Sequence, residues 1–351
     1  MKIALINNLY KPYARGGAER VAETIINELA KQKHEVAVIA SKPFFGKKIV
    51  FNNKYLMLNI YFWNIISYYN LGKLPKIFRP LWHLINIFNL QSYFKVKKIL
   101  KTEKPDLVMT HNLTGVGFLT PLAIGRSGVK TASAEFRRVK HIHTLHDIQL
   151  IHPSGLIFVN QENKINSVFA KIYQAINKKL FASVDVVISP SEWLINEHVK
   201  RGFFKDSKKV VMRNPIKTSP SPSLVRRGDD DGKFIFLYVG QVEKHKGIDV
   251  LLRSSAKLKE QNVLWIVGDG GESQKSKVKS QKLGLDNIKF LGQKSSIEIE
   301  ELMQKADCLV VPSLCYENQP TVIIEAKQNN LPVIASDIGG IPELLEEKFL
   351  F

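Results

Sequence analysis

The sequence predicts an α/β protein built from two Rossmann-like domains, each on a doubly wound, mostly parallel sheet. Three observations lead there. Short apolar runs alternate with amphipathic helical stretches through residues 1–215, the pattern of strand–helix–strand units. The same alternation begins again after residue 232 and continues to the end. Between the two blocks, residues 216–232 (IKTSPSPSLVRRGDDDG) combine serines, prolines and a charge block, the composition of a linker or loop. A chain of 351 residues is long enough for two separate cores.

In order, "KIALIN" is the first strand, and "GGAERVAETIINELAKQ" follows as a helix with Val21, Ile25, Ile26 and Leu29 on one face. "HEVAVIAS" is the next strand. "DLVMTHN", "KHIHTLHD" and "DVVISPS" are later ones, each a buried-type run ending in a polar turn. The second block supplies "FIFLYVG", "LWIVGDG", "IKFLG", "CLVVPS" and "PVIASD". Residues 42–104 interrupt the alternation and read as a basic, aromatic helical segment, with twelve Lys+Arg against one acid, Glu103. Residues 125–140 read as an insertion without assigned chemistry.

The net charge of +19 is uneven. Residues 1–215 hold 33 Lys+Arg and 13 Asp+Glu, whereas 216–351 hold 18 and 19. The first half therefore calls for an anionic partner. Interleaved cations and aromatics in 42–104 suit an anionic membrane surface; the alternative is helices packed on the sheet with lysine stems lying over the rim. No recognised nucleic-acid motif appears, so nucleic acid is set aside. No apolar run reaches the roughly 18 residues of a membrane span. The start lacks a signal-peptide pattern, which leaves the cytoplasm, with a peripheral seat on the inner face of the membrane as a further expectation. Cys308 and Cys315 match no zinc or redox spacing and read as reduced thiols.

Several short stretches could carry chemistry. Gly16 and Gly17 open a helix, where backbone approaches a ligand closely and unpaired N–H groups face an anion; alone this is a weak signal. Lys244 and Lys246 follow "FIFLYV" and could hold a diphosphate, Lys244 reading better as solvated. "VGDGG" (267–271) is not a full GxGxxG and is weak evidence for a nicotinamide site. Asp229–Asp231 imitates a metal-binding DxD but sits in the linker and reads as a solvated loop. His111, His146 and Ser189 lie just past strand ends. His143 and His146 are placed on opposite faces of a strand, which argues against a zinc site. In "CYENQPTVIIEA", Pro320 opens a helix, Glu317 lies in the loop before it and Glu325 inside it. Vicinal hydroxyls would give Glu325 two donors; a surface helix residue is the plain alternative.

Taken in order, "GGAERVA", "PDLVMTHNLTG", "HTLHDIQLIHP", "ISPSEWLINEHVKRGF", "RNPI", "VGQVEKHKG", "VGDGG", "FLG", "ENQPTVIIEA" and "PVIASDIGGIPELL" resemble the retaining GT-B glycosyltransferases of family four through most of the chain. Most pieces are individually weak; the paired glutamates followed by "PVIASDIGGIPE" are specific. The resemblance implies an acceptor domain over 1–215 and a nucleotide-sugar domain over 233–351, facing a cleft. The function it implies is transfer of a hexosyl group, with retention, from a nucleoside-diphosphate sugar to a polysaccharide or glycolipid acceptor of the cell envelope. It assigns Glu325 to the ribose, Glu317 to the donor sugar with backbone N–H groups of Asn318, Gln319 and Thr321, and Lys246 to the diphosphate. Gly16 and Gly17 would close over the diphosphate, and His146 would touch the transferred sugar. Gln241 and Gly268 complete the donor set, and His111, Asn112 and Asp147 fall to the acceptor. No metal and no cofactor beyond the donor are implied.

Two departures stand out. Gln241 occupies a position that is usually arginine in this pattern, with Lys244 or Arg213 as stand-ins. The chain also stops soon after "GGIPELL", where the pattern continues, so a C-terminally shortened second domain is expected. These departures keep two alternatives open: a non-catalytic, membrane-associated descendant of the fold, and a sugar-nucleotide epimerase, which "ENQPTVIIEA" fits poorly.

Overall fold

The computed structural model describes residues 1–13, 16–45, 55–125, 139–215, 232–257 and 262–351. The linker 216–231, with Asp229–Asp231, and most of 125–140 lie outside the described residues. The chain forms two compact units. The first comprises Met1–Leu156 and Asn163–Pro215, the second Ile157–Glu162 and Ile216–Phe351. Residues 157–162, which the sequence assigned to the first domain, thus belong to the second. Each unit carries a parallel α/β sheet.

In the first unit the strands are β1 (Lys2–Asn7), β2 (Glu35–Ser41), β3 (Leu56–Ile60), β4 (Leu107–Thr110), β5 (Lys140–Thr144), β6 (Val186–Ser189) and β7 (Lys208–Val211). They form one sheet in the order β3-β2-β1-β4-β5-β6-β7, every pair parallel. The helices are α1 (Gly17–Lys31), α2 (Arg79–Ile87), α3 (Leu90–Glu103), α4 (Thr120–Gly125), α5 (Val168–Leu180) and α6 (Glu192–Val199). Segment 42–104 is therefore not wholly helical: it contributes edge strand β3 and two short 3-10 pieces, Tyr68–Lys73 and Lys76–Phe78, before α2 and α3.

Helix α1 follows its sequence pattern. Val21, Ala22 and Ile26 are buried, and Ile25 and Leu29 pack against the same cluster of Leu5, Tyr10, Val36, Val38 and Met57. Burying each such aliphatic side chain contributes about 1.5–3 kcal/mol. At the helix start Glu19 Oε2 accepts the Gly16 N–H at 2.8 Å, satisfying one donor that the first turn leaves open.

In the second unit β8 (Phe234–Val239), β9 (Asn262–Val267), β10 (Ile288–Gly292), β11 (Cys308–Val311) and β12 (Val333–Ala335) form a parallel sheet in the order β10-β9-β8-β11-β12. Helices α7 (Ile248–Ser255), α8 (Ser273–Lys282), α9 (Ser296–Lys305) and α10 (Thr321–Gln328) connect them. One core lies under β8 and β11, where Leu237, Leu309, Met303, Ile323, Val333 and Ile341 pack together.

The order reverses between β1 and β4 in the first sheet and between β8 and β11 in the second. Connections leave opposite ways from such a pair, opening a crevice beyond the strands' carboxyl ends where ligands bind in open α/β sheets.

Candidate active site

At the first reversal, β1 runs into Asn7 and Asn8, β4 into His111 and Asn112, and β5 towards His146 and Asp147. Asn7 Oδ1 accepts the Asn112 N–H at 3.2 Å, and Asn112 Oδ1 accepts the Thr114 N–H at 3.0 Å. His111 is fully buried. Its Nδ1 lies 2.9 Å from His146 Nε2, the two rings stacked with centroids 5.2 Å apart. Burial lowers the His146 pKa to about 4, and burial, then His146, holds His111 well below its ordinary value. Both rings are neutral near pH 7, so one donates to the other. The tautomer then decides whether His146 Nδ1 serves as donor or acceptor. Asp147 Oδ1 accepts the Gln149 N–H at 2.7 Å. Burial pushes the Asp147 carboxyl up to about 6; the Gln149 N–H pulls the other way, and the charge on Glu19 adds to the rise.

His141 and His143 are occupied elsewhere. The Thr110 hydroxyl lies 2.7 Å from His141 Nε2 and 2.8 Å from His143 Nδ1, and His143 packs on Phe181. Ser189 is buried, its hydroxyl donating to the Ser191 carbonyl at 2.7 Å. Among the described residues, no group of three or more His, Cys, Asp or Glu side chains is placed to hold a metal ion. Gly17 stands in open space: a β-carbon there would meet nothing within 4 Å. The fold itself does not demand glycine at this position.

At the second reversal Lys246 follows β8 and Glu317 follows β11. Lys246 Nζ meets Glu317 Oε1 at 2.5 Å, and the Ser313 hydroxyl donates to the same oxygen at 2.8 Å. Two glycines hold the surrounding loops. Gly247 has φ +75°, and a β-carbon there would strike the Pro312 carbonyl at 1.7 Å, so the loops after β8 and β11 touch backbone to backbone. Gly339 has φ +63°, with its Cα facing the Glu317 carbonyl, which accepts the Gly340 N–H at 2.8 Å. Asn318 and Gln319 are buried; Thr321 begins α10, and Glu325 is half-buried on it.

For two further members of the predicted donor set the structure shows local contacts. The Gly268 N–H donates to the Gly292 carbonyl at 2.8 Å, and its Cα face lies on the Gly240 carbonyl. This amide joins the ends of β9 and β10, and the Gly240 N–H, donating to the Val267 carbonyl at 3.0 Å, joins β8 to β9. Gln241 is exposed, and what the structure fixes is its carbonyl, which accepts the Tyr238 hydroxyl at 2.6 Å.

The support of the Glu317 loop comes from residues far away in sequence. Phe158 and Cys315 form an antiparallel bridge. The Val159 N–H donates to Leu314 and the Tyr316 N–H to Ile157. The Tyr316 hydroxyl donates to Glu162 at 2.7 Å. No local signal connects residues 154 positions apart. Glu19 was equally hidden: it reads as a helix-surface acid yet is buried beside the Gly16 amide.

Comparison with known proteins fixes the family. The profile of Glycosyltransferase Family 4 matches residues 15–220, more than half of the chain, and that of glycosyl transferases group 1 matches residues 225–349. The chain belongs to Glycosyltransferase Family 4. Among its relatives, a 42.6 kDa protein of the cps region of Klebsiella pneumoniae is 28% identical over 346 residues, 98% of this chain and 87% of that protein. A Bacillus subtilis protein named for teichuronic acid biosynthesis, the glycosyltransferase TuaC, is 24% identical over 98% of this chain and 83% of its own. In structure, the Anabaena protein HepE in complex with UDP superposes with a TM-score of 0.65 at 19% identity, covering 100% of this chain and 85% of HepE. The architecture of this family member is the two-domain Rossmann-like GT-B fold, and the protein is a glycosyltransferase.

Proposed function

We propose that this glycosyltransferase moves a hexosyl group from a nucleoside-diphosphate sugar to a saccharide or lipid-linked acceptor in cell-envelope polysaccharide assembly, with retention of configuration. The observation that carries the reading is the Lys246–Glu317 pair at the β8/β11 reversal, hydrogen-bonded further by Ser313. A cation and a carboxylate held together at a strand-end crevice match the two parts of such a donor. The ammonium takes the diphosphate as a point charge and the carboxylate takes sugar hydroxyls. UDP bound to HepE and the envelope-polymer name of TuaC point the same way.

In this reading Glu325 receives the ribose hydroxyls, and the amides of Asn318, Gln319 and Thr321 lie against sugar or phosphate. Gly17, open above its backbone, lets the α1 N-terminus approach the diphosphate together with Gly16. His146, neutral and held by His111, hydrogen-bonds the transferred sugar. Asn112 and Asp147 receive the acceptor, whose attacking hydroxyl loses its proton to the departing diphosphate on the same face. The protein then contributes position and charge stabilisation and no strong base, and neither a metal nor a cofactor takes part.

The test is incubation with UDP-, GDP- and ADP-sugars and a mixed saccharide and polyprenyl-phosphate acceptor panel, read by nucleoside diphosphate release. Release with one donor, abolished by Glu325→Ala, is the expected result. A donor returned inverted at one carbon would replace transfer by epimerisation. Neither release nor nucleotide binding would leave the non-catalytic alternative that Gln241 favours.

A further inference from the structure

Residues 312–320 run from β11 to α10 and carry Glu317 outside either element. A side chain on such a loop is held only as well as the loop's own anchors hold it. Several anchors are backbone bonds. The Leu314 N–H donates to the His245 carbonyl at 2.9 Å, and the Leu314 carbonyl accepts the Val159 N–H at 3.0 Å. The Tyr316 N–H donates to the Ile157 carbonyl at 2.9 Å. The bonds to Val159 and Ile157 flank the Phe158–Cys315 bridge. An isolated pairing of two short strands is marginal in water, so a single bridge gains from any contact that closes it.

Glu162 makes that contact. After Phe158 the chain turns: the Gln161 N–H donates to the Phe158 carbonyl at 3.1 Å, with Asn160 in the left-handed region at φ +65°. Asparagine is among the few residues that adopt this conformation readily. The turn returns Glu162 to the bridge. Its Oε1 accepts the Asn160 N–H at 2.9 Å and the Tyr316 hydroxyl at 2.7 Å. One carboxylate oxygen thus joins the two chains of the pairing. The Tyr316 hydroxyl, and after it backbone N–H groups, hold the Glu162 carboxyl below its ordinary value, so near pH 7 the bond is charge-assisted. Tyr316 directly precedes Glu317, whose own carbonyl accepts the Gly340 N–H. The peptide that carries the Glu317 side chain is therefore held on both sides.

We propose that Glu162 is a positioning residue for the donor: through Tyr316 it fixes the Glu317 loop so that the Glu317 carboxylate meets the donor's sugar. This rests on the assignment of Glu317 to the sugar and adds a residue that acts on it through another side chain. The effect belongs to the sugar half of the donor, because Lys246, assigned to the diphosphate, stands on the loop after β8.

Two measurements on the full chain test it. The first is hydrogen exchange of residues 313–319 without donor, read by mass spectrometry. Glu162→Leu and Tyr316→Phe should each raise exchange there and leave β8 and β9 as in the parent. The second is titration with UDP-, GDP- and ADP-sugars and with the matching free diphosphates. For the sugar nucleotide that the parent binds, either variant should weaken affinity about ten-fold or more, the worth of one hydrogen bond to a charged group. The free diphosphate, which lacks the sugar, should bind as it does to the parent. The double variant should lose no more than either single one, because both remove the same contact. Glu162→Gln keeps an acceptor oxygen and should recover most of the affinity. Parent-like exchange, or parent-like affinity for the sugar nucleotide, in Glu162→Leu would overturn the inference while the donor reading stands. So would equal weakening of sugar nucleotide and free diphosphate, the mark of a general loss of structure. A parent protein that binds none of the sugar nucleotides would remove the donor reading itself, and this inference with it.

Discussion

Replacing Lys246 by methionine separates the donor role of this residue from its structural one. Its pair with Glu317 is 2.5 Å long, the two side chains being 27% and 15% exposed. That lies between an exposed ion pair, worth about 0–1 kcal/mol, and a buried one, whose breaking costs about 3–5 kcal/mol. Glu317 retains the Ser313 hydroxyl, so Lys246→Met should cost about 1–2 kcal/mol of stability. Turnover should suffer more. A charge-assisted bond to the diphosphate contributes about 1.5–3 kcal/mol, so kcat/KM for the donor should fall about 10- to 150-fold. The double variant Lys246→Met, Glu317→Gln no longer leaves a charge without its partner and should recover most of the stability but none of the turnover. Urea unfolding and initial rates of nucleoside diphosphate release measure the two quantities. A Lys246→Met rate within about three-fold of the parent would refute the assignment of Lys246 to the donor phosphate.

Three further outcomes follow from the geometry. Burial lowers His146 and His198 to about 4, while unfolded histidine protonates near about 6.5. Between those values the unfolded chain binds more protons, so their contribution to stability is complete above about pH 6.5 and is lost as pH falls towards about 4. Asp147, raised to about 6, acts in the opposite sense and offsets part of one ring. The urea midpoint should therefore fall over this range, less steeply in His198→Phe, and a flat midpoint would contradict the assignment. Asp147 should also give kcat/KM an acidic limb near pH 6, absent from a slow, pH-independent Asp147→Asn; an unchanged limb would place the titration elsewhere. Gly339→Ala puts a β-carbon 2.3 Å from the Glu317 carbonyl at φ +63°. Left-handed strain alone costs about 1–2 kcal/mol. A lower melting temperature and a raised donor KM are expected, and a KM equal to the parent's would mean that the Glu317 loop tolerates the shift.

The central strands were legible because both their faces are covered. β1, β2 and β11 are buried along nearly their whole length and read as continuous apolar runs. The strands missed, β3 and β7, are the two edges of the first sheet. β7 begins with two lysines and stays largely exposed, and β3 alternates within a stretch dominated by aromatics. The same division holds for the site. Lys246 and Glu317 could be read because each follows a strand with glycine or proline close by. What holds them could not: Ser313 is an ordinary serine until the loop returns it to Glu317. Gly268 joined the donor set only through the resemblance, and no local signal foretold that its N–H would bond the Gly292 carbonyl.

The short piece at 157–162, with its single bridge to Cys315, makes the second unit discontinuous in sequence. A cut in the linker, where composition invites division, would release a C-terminal half without it. That half would lose the bridge to Cys315 and would leave the Leu314 carbonyl without the Val159 N–H and the Tyr316 N–H without the Ile157 carbonyl. Binding studies on a dissected donor half would then report on a Glu317 loop that has lost its brace. A peptide spanning 157–162, supplied in trans, should restore it.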